Sequence, residues 1–96
     1  MNTRFTEDFL EDATETLRAI AHPIRLAIVD LLSKQGQLSV SEIHQNLNIQ
    51  QAVASHHLRI LKNKNVVELT RDGKNSLYSL AADDFQSIIG VMERVK

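Results

Sequence analysis

Apolar residues recur at helical spacing along most of the chain, and the pattern breaks into alternation only once. Phe9, Ala13, Leu17 and Ile20 share one side of a first helix, with Leu10 widening the stripe. Thr6 is placed to cap that helix, and Glu7 and Asp8 suit the positive end of its dipole. The segment ends near His22-Pro23, because proline disfavours helical geometry before it yet fits the first turn of the next helix. From Pro23 onward, Ile24, Ala27, Ile28, Leu31 and Leu32 follow the spacing of a helix with one buried face. Gly36 stands where a helix end favours glycine. This second helix is the expected centre of the core.

Ser39-Val40-Ser41-Glu42 matches a capping box and opens a short third helix with Val40, Ile43 and Leu47 inward. Asn46-Leu47-Asn48-Ile49 makes a corner, since asparagine tolerates left-handed geometry. A fourth helix then runs from Gln50 or Gln51 to Asn63. At about 100° per residue, Ala54, Leu58 and Leu61 fall on one line, flanked by Val53 and Ile60. Ala52, Ser55, His56, Arg59 and Lys62 fall opposite, with Gln51 also outward. A helix of this kind can rest on a core and enter a DNA groove at once. Ala52 contributes by being small, and can touch a thymine methyl.

Asn63-Lys64-Asn65 breaks that helix. Val66 to Thr70 reads as a strand, Arg71-Asp72-Gly73-Lys74-Asn75 holds an Asp-Gly hairpin signal, and Ser76 to Leu80 returns with alternating polarity. A last helix is expected to open at Asp83, with Gln86 completing a second capping box, and to carry Phe85, Ile88, Ile89, Met92 and Val95 as an apolar stripe. That stripe could cover the chain's own core. A helix pairing with a second copy would add the core that so short a chain lacks, and this reading is preferred. The order of elements gives an α+β, mostly helical fold. It is a winged helix-turn-helix of five helices plus a two-stranded β-hairpin wing, in one domain over residues 1–96.

Charge sharpens this picture. The net charge is −1, but it is unevenly spread. Residues 1–30 set Arg4, Arg18 and Arg25 against six carboxylates, whereas residues 49–75 set Arg59, Lys62, Lys64, Arg71 and Lys74 against Glu68 and Asp72 alone. A cationic segment on an acidic body steers toward phosphates while limiting non-specific adhesion. For Arg25, pairing with an acid of the first helix is preferred over phosphate contact. No apolar run approaches the ~18 residues that cross a bilayer, and the acidic start MNTRFTEDFLED is unlike a secretory signal. A cytoplasmic protein is expected. With no cysteine, disulfides, thiolate ligands and thiol switches are excluded.

Enzyme chemistry has no residues behind it: Gly36, Gly73 and Gly90 are scattered, and the carboxylates crowd the first helix at surface spacing. Metal chemistry fares little better. His56 and His57 are adjacent and diverge on a helix, while His22 and His44 have no partner at i+3 or i+4, so no set of three or four converging ligands forms. No cofactor or metal is expected. Packing or a buried hydrogen bond suits His57 better than a functional role. His56 faces outward, where contact with a base or phosphate and idle exposure are equally open.

The stretches LRAIAHPIRLAIVDLL, QQAVASHHLRILKNKNVV and RDGKNSLYSL together resemble the arsenic-repressor (ArsR/SmtB) family of bacterial winged-helix transcriptional regulators, from Leu17 to Leu80. The resemblance implies a homodimer formed by the first and last helices, and repression through an inverted-repeat operator. It implies base reading by Gln51, Ser55, His56 and Arg59, and wing contacts by Arg71 and Lys74. Gln50 departs from the family's frequent Ser or Thr cap. Where members sense metal through thiols, this chain reads Gln37-Leu38-Ser39-Val40. In the last helix the ligand-like positions are Ala82, Asp84 and Val95, leaving one carboxylate. A metal sensor is therefore not expected, and the small-molecule effector is unknown.

The expected partners are double-stranded DNA and a second copy, with no membrane. Gln50, Gln51, Ala52, Ser55, His56, Arg59, Lys62, Arg71 and Lys74 are the expected DNA-facing residues. Phe9, Leu10, Ala13, Leu17, Phe85, Ile88, Ile89, Met92 and Val95 are the expected dimer face. The competing reading is a winged-helix protein-interaction module, an anti-regulator that binds no DNA and uses the Phe85 to Val95 stripe on another protein.

Overall fold

Thr6 does cap the first helix. Its hydroxyl accepts from the Phe9 amide at 3.1 Å in the computed structural model, which describes residues 1–96, and α1 runs Glu7–Ile20. His22 follows in extended geometry, its Nδ1 accepting from the Ile24 amide at 3.1 Å, and α2 runs Pro23–Gln35. Pro23 occupies the first helical turn, where a missing amide proton costs nothing. Gly36 ends α2 with φ 85, a backbone that a side chain would strain.

The capping box at Ser39 forms completely. Ser39 Oγ accepts from the Glu42 amide at 3.1 Å, and Glu42 Oε1 accepts from the Ser39 amide at 3.0 Å. These bonds launch α3, Val40–Leu47. Asn48 turns the corner with φ 55 and ψ 49, and α4 runs Gln51–Asn63. Asn65 is again left-handed, φ 59, and redirects the chain into the sheet.

Three strands form where two were expected. The extra one is β1, Gln37–Ser39; it precedes β2, Val67–Asp72, and β3, Asn75–Leu80. All pairing is antiparallel in the order β1-β3-β2, with Leu38 opposite Tyr78 and Leu69 opposite the same residue on the other side. β1 thus anchors the root of the hairpin to the start of α3. The hairpin closes between Asp72 and Asn75, and Gly73 supplies the positive φ of 63 that the turn requires.

The second expected capping box is absent. Asp83–Phe85 is a 3-10 turn, and the final helix α5 starts after it, at Gln86–Val95. An N-cap needs extended backbone. Ala82 rather than Asp83 has it, and neither residue makes a side-chain cap bond.

The core lies where α2 meets α3, α4 and the sheet. Ile28, Val29, Leu32, Ile43, Leu58, Leu61, Val66 and Val67 are essentially sealed from solvent. Val29 lies outside the stripe read from the sequence, so α2 is buried over a wider arc than one face. Ile24, Leu31, Ile60, Phe85, Ile88 and Ile89 pack around this centre, half-buried. No helix is long and apolar enough to cross a membrane.

Candidate DNA interface

The turn that orients α4 is held by side chains. His44 Nδ1 donates to the Ile49 carbonyl at 3.1 Å, bridging the end of α3 to the residue entering α4. Asn46 Nδ2 donates to the Glu42 carbonyl at 2.7 Å. Ala54, Leu58 and Leu61 then fix α4 on the core by one face, and His57 is buried beside them. Gln50, Gln51, Ala52, His56, Arg59 and Lys62 are exposed, and Ser55 is half-buried at the edge of the face. The structure therefore brings the residues expected on α4 onto a single open surface. Gln50 precedes the helix in extended geometry and makes no side-chain cap bond, leaving its amide free.

The wing carries Arg71, Asp72, Gly73 and Lys74 exposed at its tip. Arg71 Nη1 donates to Ser76 Oγ across the hairpin at 2.8 Å, which limits the guanidinium's freedom before any ligand arrives. Both ion pairs in the structure converge on Glu15: Arg18 at 2.9 Å and Lys64 at 3.2 Å. Arg59, Lys62, Arg71 and Lys74 are consequently not neutralised by any carboxylate, and their charge faces outward.

Arg25 does not pair with an acid of the first helix. Lys64, reaching over from the end of α4, occupies Glu15 instead, and Arg25 Nε is left buried with no hydrogen-bond partner. His57 is 8% exposed, packed as expected, but no hydrogen bond forms at its Nδ1. Burial, reinforced by His22, His56 and Arg25, pushes its pKa below the ordinary imidazole value. Its ring lies 4.4 Å from that of His22 and 5.1 Å from that of His56, centroid to centroid. No group of three or more His, Cys, Asp or Glu side chains is placed to hold a metal ion.

Sequence reasoning missed His44, Ser76, Lys64 and the His22–His57 contact. A histidine just before an asparagine corner was a usable signal for His44. Ser76 could have been found by register, since it pairs with Arg71 across the hairpin. Nothing local pointed to the other two.

α1 and α5 leave apolar surface open. Phe9 is 50%, Leu17 56%, Met92 39% and Val95 66% exposed. Leu17, Ile20, Pro23, Leu26, Ile88 and Met92 line one almost wholly apolar groove. Leu10 and Ala13 are half-buried, and Phe85, Ile88 and Ile89 already pack on the chain's own core with part of their surface still open.

Residues 22–68 match the family described as bacterial regulatory protein, arsR family. The chain is 40% identical over 82 residues to the HTH-type transcriptional repressor SmtB of Mycobacterium tuberculosis, covering 85% of this chain and 60% of that protein. It therefore spans about 60% of the length of the SmtB relatives. It is 36% identical over 87 residues to the transcriptional repressor PagR of Bacillus anthracis, covering 91% of this chain and 87% of that one. The PagR crystal structure superposes with a TM-score of 0.83 over 91% of this chain and 99% of that chain. A homodimeric winged helix-turn-helix DNA-binding domain from Mycobacterium bovis superposes at 0.81 with 28% identity, over 99% of this chain and 89% of that one.

Proposed function

The chain belongs to the arsR family of bacterial regulatory proteins, and on that premise we propose that it is a dimeric, sequence-specific transcriptional repressor of the cytoplasm. The observation that carries this reading is the open face of α4, where Gln51, Ala52, His56 and Arg59 stand exposed with no carboxylate neutralising Arg59. Residues 1–96 act as one winged helix-turn-helix unit. Two copies pair through α1 and α5 and set both α4 helices into successive major grooves of an inverted repeat, half-sites about one helical turn apart. Gln51, Ser55, His56 and Arg59 read base edges, Ala52 permits close approach, and Gln50 offers its amide at the helix start. Lys62 neutralises phosphate beside the groove, while Arg71 and Lys74 reach flanking backbone from the wing.

With no cysteine in the chain, sensing through thiolates has no residue to act through. Derepression is therefore expected from a signal other than a thiolate-bound metal. Selection of bound sequences from a random DNA pool, paired with light scattering, tests the whole reading. Enrichment of an inverted repeat by a dimer is expected, and zinc should not release it. A monomer with no salt-sensitive DNA binding would replace this function with protein docking through α5.

A further inference from the structure

Only two buried side-chain polar atoms lack a hydrogen-bond partner, His57 Nδ1 and Arg25 Nε. They belong to one neighbourhood, since the Arg25 charge bears on His57. His57 projects from α4 against His22, whose ring lies 4.4 Å away at 37° in the turn between α1 and α2. His57 Nδ1 is sealed without a partner, whereas His22 is half-buried and also lines the apolar groove beside α5. The Nδ1 lone pair of His22 is committed to the Ile24 amide that starts α2. The Nδ1 of His57 is sealed, and the groups that bear on it are His22 from the turn, Arg25 from α2 and His56 from α4 itself, with no carboxylate among them. A proton on His22 Nδ1 would remove the cap of α2, and one on His57 Nδ1 would place a charge near Arg25 in a sealed position.

We infer that the His22–His57 stack is a proton-operated latch: neutral, it seats the recognition helix against the start of α2, and protonated, it lets that helix loosen, so mild acid weakens DNA binding. The inference rests on the DNA-binding reading for its consequence but not for the latch itself. Because burial holds His57 below the ordinary imidazole value, the unfolded chain takes the proton more readily than the folded one. The stability contributed by the neutral stack is therefore complete above that value and declines as pH falls below it. This runs against the usual electrostatic trend, in which acid adds positive charge and strengthens attachment to phosphates.

The test follows the full chain from about pH 7.5 to about pH 5.5, across the imidazole range. Imidazole NMR titration and amide exchange of α4 are read without DNA, and affinity is read on the selected operator. His57→Leu keeps apolar volume and removes the proton site. His22→Asn keeps a side-chain acceptor for the Ile24 amide and removes the ring. In the wild type, exchange protection of α4 and operator affinity should both fall severalfold on acidification. In His57→Leu, protection should stay level and affinity should hold or rise. His22→Asn should move the midpoint of the protection loss, which serves if the leucine variant does not fold. Wild-type protection indifferent to pH, the same fall in His57→Leu, or an unmoved midpoint in His22→Asn overturns the latch. A pH-dependent exchange pattern with no DNA binding at any pH keeps the latch and removes the DNA-binding reading.

Discussion

Lys64 Nζ, just past the end of the recognition helix, lies 3.2 Å from Glu15 Oε2 on the first helix, while Arg18 holds the other carboxylate oxygen at 2.9 Å. Hydrogen bonding and charge from Lys64, then from Arg18, keep the Glu15 carboxyl below the usual carboxylate range. A carboxyl whose folded pKa is lowered contributes stability above its unfolded value and loses it as pH falls through the folded one. Glu15→Gln should therefore lower the melting temperature slightly near neutrality, with the difference from wild type closing in acid and at high salt. Identical melts at neutral pH and low salt would mean that the contact ties α1 to α4 in geometry only.

Arg59 and Lys74 should fail in different ways. Arg59 is exposed on the open face of α4, so if that face reads DNA as proposed, Arg59→Ala should cost about 1–3 kcal/mol on the preferred operator and blur the choice of base there. Lys74, at the exposed wing tip, should act on phosphate. Lys74→Ala should weaken all sequences alike and reduce the salt slope by about one. Affinity titrations at several salt concentrations on matched and scrambled duplexes separate the two. A scrambled-site penalty from Lys74→Ala equal to that of Arg59→Ala would reassign the wing to base reading.

The apolar groove between α1 and α5 should be closed by a second copy. Leu17 and Met92 are exposed on the single chain, so a charge at either place should spare the fold and oppose burial in a dimer. Leu17→Glu and Met92→Glu should each shift the chain to monomer in light scattering, with normal circular dichroism. Operator affinity should drop with it, because one half-site alone supplies roughly half the contacts. A persistent dimer in both variants would place the interface elsewhere.

The helices and the exposed face of α4 were legible because each depends on local spacing. Leu58 and Arg59 take opposite fates, buried and exposed, because adjacent residues on a helix point about 100° apart. Gly36 and Ser39 announced their boundaries through backbone and capping chemistry alone. What stayed hidden was set by contacts distant in sequence. The strand Gln37–Ser39 is too short to alternate, and it exists because β3 offers Leu77, Tyr78 and Ser79 as partners. Arg25 was expected to find an acid on α1, but Lys64 arrived there from another helix. Asp83 had the composition of a cap, yet the chain turns one residue earlier, at Ala82.

Ser39 serves two elements at once, and that makes it the sharpest probe of how the reading head is built. It is the last residue of β1, opposite Leu77, and the cap of α3 through Oγ. Strand pairing uses the backbone, so Ser39→Ala should leave the sheet intact and remove only the cap. The expected loss is about 1 kcal/mol, seen as a melting point lower by roughly 4–8 °C for a chain of this size. Ser39→Asp restores an acceptor and adds a charge suited to the helix start, so it should recover most of the loss. Because α3 carries the turn that aims α4, operator affinity should fall in the alanine variant and return in the aspartate one. If aspartate is as unstable as alanine, the side chain matters through the sheet and not through the cap.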